Sequence, residues 1–151
     1  IFDGLVAVAK KFSKSVLVSV HPRTAEKMAQ HGIQPASSSI RLLKALNFFD
    51  FVKLEKNSLA VLTDSGTVQE ECSIFGIPNI TLRDVTERPE TIECGSNILS
   101  GAETSSIVSA VEIAIAQPAA WTAPAEYLAT NVSQTVSKIM LGYTSFRRHS
   151  S

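Results

Sequence analysis

Cysteine is scarce in this sequence of 151 residues: it occurs as Cys72 and Cys94, and neither belongs to a CxxC pair. Without such pairs, and with 3 scattered histidines, the sequence lacks the ligand spacing of a zinc site. We therefore expect no metal and no cofactor. Both cysteines fall in predicted helices, and we interpret them as buried thiols of a cytoplasmic protein, because the cytosol keeps thiols reduced.

An excess of either charge is also missing, because 14 Lys and Arg residues balance 14 Asp and Glu residues. A duplex nucleic acid needs a basic face on its partner, so this balance argues against nucleic-acid binding. No apolar run approaches the ~20 residues of a membrane span, and we expect no membrane partner. The chain starts at Ile1 without a methionine, which we interpret as part of a longer protein.

What the sequence does contain is a regular alternation of short apolar runs with amphipathic stretches. This rhythm is typical of βαβ units and predicts a single α/β domain over residues 1–151 with a parallel sheet. The predicted strands are Val16–Val20, Ile40–Leu46, Leu59–Thr63, Asn79–Leu82 and Asn97–Leu99. The predicted helices are an opening helix through Lys11, Thr24–Gln30, a helix capped by Asn47 and running through Leu54, Thr67–Phe75, a short helix from Pro89, Glu103–Ala116 and Pro124–Leu141.

Polar residues follow three of these strands, in the sets His21–Arg23, Asp64–Thr67 and Arg83–Arg88. Open parallel sheets bind ligands outside the carboxyl ends of their strands, so the sets predict a binding site. Gly66 has no Cβ and would let a phosphate approach the backbone, while Ser65 and Thr67 add hydroxyls at the positive helix end. Ordinary capping is the alternative, because Thr67 and Glu70 have the spacing of a capping box.

Glu71 is a candidate for a second part of this site. It lies one turn beyond Thr67 on the same helix face, from which a carboxylate could accept hydrogen bonds from ribose hydroxyls. The alternative is a solvated helix carboxylate, a role for which the neighbouring Glu70 is the better candidate.

Arg88 and Phe51 are two further candidates. Arg88 precedes Pro89 at a helix mouth, where its guanidinium fork suits a phosphate or carboxylate shared with the helix. Its alternative is a salt bridge to Asp84, Glu87 or Glu90. Phe51 could wall a nucleotide base, although an ordinary core position is the competing interpretation.

From about Val16 to Gly101 the sequence closely resembles the non-hydrolysing UDP-N-acetylglucosamine 2-epimerases. The matching signature comprises Leu62–Gly66, Gln69–Glu71, Gly76 with Pro78, and Arg83–Glu90 without Val85. The resemblance implies a Rossmann-like three-layer domain with a parallel sheet, the C-terminal UDP-binding half of a glycosyltransferase-B architecture. At position 67 this sequence has threonine where many members have glycine. In this respect it resembles the branch that serves capsule and O-antigen amino sugars.

The resemblance also implies roles for these residues. Ser65 and Gly66 would hold the UDP diphosphate, with Thr67 beside them; Glu71 would bind the ribose, Arg88 would lie in the UDP site and Phe51 beside the uracil. The implied reaction is isomerisation of a UDP-sugar, inverting C2 by elimination of UDP to a 2-acetamidoglycal and re-addition. The carboxylates and histidine proposed as catalytic groups precede the matched segment, so we expect no catalytic residue here and an inactive isolated chain.

Two other functions remain open on the sequence. One is the donor-nucleotide domain of a glycosyltransferase with the same architecture, and the other is a stand-alone nucleotide-sugar-binding module. For the epimerase interpretation, the expected partners are the UDP-sugar, a missing N-terminal domain of the same protein, and a second copy of the full-length protein in a homodimer.

Overall fold

The fold was described from a computed structural model, which covers residues 1–32, 37–117 and 119–147, with side chains described through residue 142 in the last helix. Helices and short strands alternate along most of the chain, as the sequence predicts. Their order is α1 (Phe2–Phe12), β1 (Val16–Val20), α2 (Pro22–Gln30), β2 (Ile40–Lys44), α3 (Phe48–Lys56), β3 (Val61–Thr63), α4 (Gly66–Phe75), β4 (Asn79–Thr81), α5 (Pro89–Glu93), β5 (Asn97–Leu99), α6 (Thr104–Ala116), a 3₁₀ helix (Ala125–Leu128) and α7 (Val132–Arg147).

All described strand pairs are parallel, which confirms the predicted α/β class. The single predicted sheet is replaced by two hydrogen-bonded sheets, one of β1 and β2 and one in the order β3–β4–β5. Three strands are also shorter than predicted: β2 ends at Lys44, β3 begins at Val61 and β4 ends at Thr81. Apolar residues continue the strand pattern beyond these limits, but pairing requires a neighbouring strand in register as well as apolarity.

Apolar packing joins the two sheets. One buried cluster contains Ile80 of β4 together with Ile107 and Val111 of α6, and a second contains residues of α1 and β2. Val16 of β1 and Leu62 of β3 pack against both clusters. Helices α1 and α6 therefore cover a core shared by both sheets. The parallel pairing of β3, β4 and β5 places their carboxyl ends beside one another.

Local signals set the ends of the helices. The side-chain oxygen of Asn47 accepts a hydrogen bond from the Asp50 N–H at 2.9 Å, which confirms the predicted cap of α3. Gly76 ends α4 with φ of +71°, a left-handed conformation that glycine adopts without strain. Cys94, predicted inside a helix, instead follows α5 as its C-terminal cap.

The segment after α6 differs from the predicted helix Pro124–Leu141, because a 3₁₀ helix and α7 take its place. The first part of this segment packs on the same domain. Trp121 Nε1 donates to the Ser73 carbonyl at 3.1 Å, and the Tyr127 hydroxyl donates to Glu90 Oε1 at 2.6 Å. By contrast, the side chains of α7 are exposed from residue 132 to residue 142. Within the described parts of the chain, no helix combines the length and apolarity needed to cross a membrane.

Candidate nucleotide site

The turn between β3 and α4 forms the centre of the candidate site. Ser65 is the N-cap residue of α4, yet no side chain caps the helix; the Ser65 N–H instead donates to Thr63 Oγ1 at 3.0 Å. The predicted capping box of Thr67 and Glu70 is therefore wrong, because the helix begins at Gly66 and shifts both residues along it. The first turn of α4 thus presents N–H groups at a positive helix end, the arrangement that binds anions.

The guanidinium of Arg88 lies against this helix end. A Cβ added to Gly66 would stand 3.4 Å from Arg88 Cζ and 3.5 Å from Nη2, so glycine permits this close packing. Arg88 Nε donates to Glu70 Oε1 in an ion pair, and Nη1 donates to the Glu87 carbonyl at 3.0 Å. The hydrogen bond and charge of Glu70 raise the pKa of Arg88.

This ion pair corrects two sequence interpretations. Glu70 was expected to be a solvated carboxylate, but it holds Arg88 across the first turn of α4. Arg88 was expected, if structural, to pair with acidic residues of its own loop, Asp84, Glu87 or Glu90. The tertiary fold offers Glu70 from α4 instead, because the loop after β4 lies against that helix.

The loop that carries Arg88 is anchored by two threonines. The Arg88 N–H donates to Thr86 Oγ1 at 3.0 Å, and the Thr86 hydroxyl donates to Gln69 Oε1 at 2.6 Å. On the other side, the Thr91 hydroxyl donates to the Arg88 carbonyl at 2.7 Å. Both peptide groups of Arg88 are therefore fixed by side chains, which positions its guanidinium over α4.

A buried amide cluster hydrogen-bonds to Thr91 and to Gln69. Asn97 Nδ2 donates to Gln69 Oε1 at 3.1 Å and to Thr91 Oγ1 at 3.0 Å. Asn97 Oδ1 accepts from Asn79 Nδ2 at 2.8 Å and from Thr81 Oγ1 at 2.9 Å. Sequence reasoning missed this cluster; its signal was the polar residues inside the short runs of β4 and β5, where apolar side chains are usual.

Contacts near the strand ends also join the turns after β3, β4 and β5. Arg83 Nη2 lies 3.6 Å from Asp64 Oδ2, and both side chains are largely exposed. Asp84 lies against Gly101, where a Cβ would stand 2.6 Å from Asp84 Oδ1. Two of the three predicted polar sets, Asp64–Thr67 and Arg83–Arg88, are thus brought together at this edge. The set at His21–Arg23 follows β1, in the other sheet.

Glu71 faces α3 rather than Arg88. It is half-buried, and burial, followed by the charge of Glu70, raises its pKa. On α3 it faces Glu55, which is only 3% exposed. Burial, followed by the charge of Glu71, raises the pKa of Glu55 from 4.5 to about 7.

Phe51 lies on α3, four residues before Glu55, and is half-buried. Residues at this spacing share a helix face, so Phe51 lies on the side of α3 that carries Glu55. Glu55 is a second residue that sequence reasoning missed. The signal in the sequence is a glutamate at a position where the helical periodicity predicts an apolar residue, seven residues after Phe48 and four after Phe51.

The segment after α6 adds a wall beside Arg88. The hydrogen bond from Tyr127 lowers the pKa of Glu90, while burial and then Glu90 raise the pKa of Tyr127. This wall carries a phenol group beside the turn of Arg88.

Cys72 is not a reactive thiol in this arrangement, and Cys94 is partly exposed. Both are free; Cys72 is fully buried on α4, where burial and the charges of Glu55 and Glu71 raise its pKa to about 12. Such a thiol stays protonated and is a poor nucleophile or metal ligand. Among the described residues, no group of three or more His, Cys, Asp and Glu side chains is arranged to hold a metal ion.

Sequences similar to this chain are found among known 2-epimerases. A family model described as UDP-N-acetylglucosamine 2-epimerase matches residues 1–141. The UDP-N-acetylglucosamine 2-epimerase of Methanocaldococcus jannaschii is 38% identical over 127 residues, covering 82% of this chain and 35% of that protein. A UDP-2,3-diacetamido-2,3-dideoxy-D-glucuronate 2-epimerase from Pseudomonas aeruginosa is 34% identical over 100 residues, covering 66% of this chain and 27% of that protein.

Solved structures give the same result for the fold. The Methanocaldococcus jannaschii enzyme in complex with UDP-GlcNAc and UDP has a TM-score of 0.83 at 35% identity, covering 93% of this chain and 39% of that chain. The Neisseria meningitidis enzyme bound to UDP-GlcNAc has a TM-score of 0.77 at 26% identity, covering 93% and 40%. The likeness confirms the predicted relation to the glycosyltransferase-B fold. The chain spans about a third of the length of the curated relatives it matches.

Proposed function

The chain belongs to the UDP-N-acetylglucosamine 2-epimerase family, and from that premise we propose that it is the UDP-binding part of an enzyme that inverts C2 of a UDP-N-acetylhexosamine. The observation that carries this proposal is the guanidinium of Arg88 lying over Gly66 at the uncapped start of α4. A helix end and a fixed guanidinium together make a site for a diphosphate.

The proposed site divides the nucleotide among residues of α3, of α4 with its preceding turn, and of the loop before α5. Ser65, Gly66 and Thr67 offer N–H and hydroxyl donors to the diphosphate, and Arg88 adds a charge-assisted fork. Glu71, on the next face of α4, accepts hydrogen bonds from the ribose hydroxyls. Phe51, on the neighbouring face of α3, walls the uracil.

In the proposed reaction, a base removes the proton from C2 while the C1–O bond breaks and its electron pair leaves with UDP. The product is a 2-acetamidoglycal, and UDP adds back to C1 as C2 takes a proton on the opposite face. This chain stabilises the negative charge that develops on the departing UDP, because its donors are fixed before the bond breaks. The proton donor and acceptor for C2 are assigned to an N-terminal domain of the same protein, outside this sequence.

The assembly and location of the full-length protein are also part of the proposal. Free Cys72 and Cys94 support a reducing compartment, and we assign the protein to the cytoplasm. A homodimer of the full-length protein is predicted by the family resemblance and is tested by its mass in solution.

Calorimetric titration of the isolated chain with UDP tests the binding half of the proposal. We expect weak binding, because a cleft with one wall leaves the charge-assisted hydrogen bonds in competition with water. Glu71→Ala should weaken it by about 1–3 kcal/mol, the usual effect of removing a hydrogen-bond partner. Arg88→Ala should weaken it as well, whereas Arg41→Ala and Glu26→Ala, exposed on β2 and α2, serve as controls. Binding unaffected by Glu71→Ala and Arg88→Ala alike would show that the site is misplaced.

An assay of C2 inversion tests the catalytic half separately. The isolated chain should not invert UDP-N-acetylglucosamine, while a longer protein that includes the missing half should. Inversion by the pure 151-residue chain would contradict this division of roles.

A further inference from the structure

Glu55 is a buried carboxyl group without a donor. Its side chain is on α3 and only 3% exposed, and no hydrogen-bond donor among the described residues reaches Oε1 or Oε2. A buried carboxylate in this state is costly, because the charge loses water and gains no partner. The carboxyl group of Glu71, on the facing helix α4, is the polar group directed at it.

The other charged groups near this contact do not neutralise it. On α4, Cys72 stays protonated, and Glu70 is paired with Arg88. On α3 itself, Lys56 lies over the Phe75 ring, with Nζ 4.7 Å from the ring centroid, and Lys53 is exposed. The pair is therefore two carboxyl groups facing each other across the contact between α3 and α4.

Two facing carboxylates cannot both ionise without strong repulsion, and a single shared proton removes that repulsion. Glu55 is the more deeply buried of the two and holds the proton. Its O–H then donates to Glu71, which remains the acceptor. The Glu71 carboxylate is thereby held from the α3 side, and it is only half-buried.

We propose that Glu55 is a positioning residue of the nucleotide site: its protonated carboxyl holds the Glu71 carboxylate in place to accept hydrogen bonds from ribose hydroxyls. This inference rests on the proposed function of Glu71. Glu55 touches no part of the nucleotide in this arrangement and acts through Glu71 alone.

A pH-dependent affinity follows from this arrangement. Burial and the charge of Glu71 raise the pKa of Glu55 to about 7, so the shared proton is lost as the pH rises through that value. Ionised Glu55 then repels Glu71 and displaces its carboxylate. Reciprocally, a ligand that needs Glu71 in place favours the protonated pair, so binding near pH 7 takes up protons.

The test measures binding of UDP-N-acetylglucosamine to the 151-residue chain by calorimetry at pH 6 and pH 8. This probe is a diphosphate diester, so its own phosphates do not titrate in this range, unlike those of free UDP. The dissociation constant should rise roughly three- to tenfold at pH 8, the effect of one displaced hydrogen bond. Near pH 7, the binding enthalpy should vary with the ionisation enthalpy of the buffer, as proton uptake requires.

Glu55→Gln is the decisive variant, because its amide donates to Glu71 at every pH. This variant should bind the probe at pH 6 as tightly as the unsubstituted chain does. Its affinity should decrease little at pH 8, and its binding should take up no proton. Glu26→Gln, exposed on α2, should behave like the unsubstituted chain. A probe with 2′-deoxyuridine should bind more weakly and show less pH dependence, because Glu71 loses one donor; this comparison needs no protein variant.

Together, the possible outcomes distinguish a failure of the role of Glu55 from a failure of the proposed function. If the probe binds but Glu55→Gln keeps the full pH dependence and proton uptake, the role of Glu55 is overturned while the proposed function stands. If the probe binds at neither pH, both proposals fail. If the deoxy probe shows an undiminished pH dependence, the effect does not act through Glu71, and the inference fails on that ground.

Discussion

Three consecutive side chains of α4 face three different surroundings. Gln69 enters the buried amide cluster, Glu70 pairs with Arg88, and Glu71 faces Glu55. Successive residues of an α-helix are rotated by about 100°, so adjacent side chains cannot share a partner. One helical turn thereby anchors the loop of Arg88, orients its guanidinium and presents a carboxylate to the neighbouring helix.

Gln69→Leu tests the anchor at the residue scale. The change removes the oxygen that accepts from the half-buried Thr86 hydroxyl and from the buried Asn97 amide, which keeps only its bond to Thr91. We expect a loss of about 1–3 kcal/mol in the free energy of unfolding, measured by urea denaturation. Gln30→Leu, exposed on α2, is the matched control. Equal stability of Gln69→Leu and the unsubstituted chain would mean that these hydrogen bonds contribute nothing net.

Stability should also depend on pH through Glu55. Its pKa is raised in the folded chain from 4.5 to about 7, so the folded state binds the proton more tightly. The resulting stabilisation is complete below pH 4.5 and is lost as the pH rises through 7. The loss should reach about 3 kcal/mol at most.

The measurement is a set of urea denaturation curves from pH 5 to pH 8 for the unsubstituted chain and Glu55→Gln. The difference between the two chains isolates Glu55 from other titrating groups. Parallel pH profiles would contradict an abnormal titration of Glu55.

At the scale of the element, α6 shows how one helix face determines stability. Ile107, Ala110 and Val111 are buried at i, i+3 and i+4, and Ile107 packs beside Ile80 of β4 in the first core cluster. Ile113 lies outside this buried face of the same helix and is 57% exposed. Both are isoleucines in one helix, so they differ mainly in burial.

Ile107→Ala should therefore lower the free energy of unfolding by about 2–5 kcal/mol, the range for deleting a buried isoleucine side chain. Ile113→Ala should change it by less than about 1 kcal/mol, because little area leaves water there and alanine favours a helix. Thermal or urea unfolding of the two variants measures the difference. If both variants lost the same free energy of unfolding, the assignment of the packing face of α6 would be wrong.

At the scale of the whole molecule, the two sheets should differ in local stability. Strand β4 is central in its sheet, and Ile80 and Thr81 are fully buried. Among the described strands, β2 pairs only with β1, and it exposes Arg41 and Leu42. Backbone amides open more readily where fewer bonds and contacts hold them. Val16 and Leu62, together with helix α1, link the pair β1–β2 to the larger sheet.

Hydrogen exchange with mass spectrometry checks this difference. Peptides that cover Asn79–Thr81 should exchange at least about tenfold more slowly than peptides that cover Ile40–Lys44, after correction for intrinsic rates. The same protection in both would indicate one cooperative unit and contradict a weaker β1–β2 pair.

The sequence by itself determined the order of the elements and the ends of several of them. The cap at Asn47, the stop at Gly76 and the start at Pro89 were predicted and are present, because they depend on hydrogen bonds and torsions within a few residues. The sequence also predicted that Asp64–Thr67 and Arg83–Arg88 lie at the ends of neighbouring parallel strands, because each set directly follows an apolar run.

Only the tertiary structure decided which residues meet. Arg88 pairs with Glu70 rather than with an acidic neighbour, Glu55 faces Glu71, and Trp121 contacts the carbonyl of Ser73. The tertiary structure likewise decided the division of the strands into two sheets. These contacts join elements that are distant along the chain, and their partners are selected by how helices and strands pack, which no local periodicity or spacing specifies.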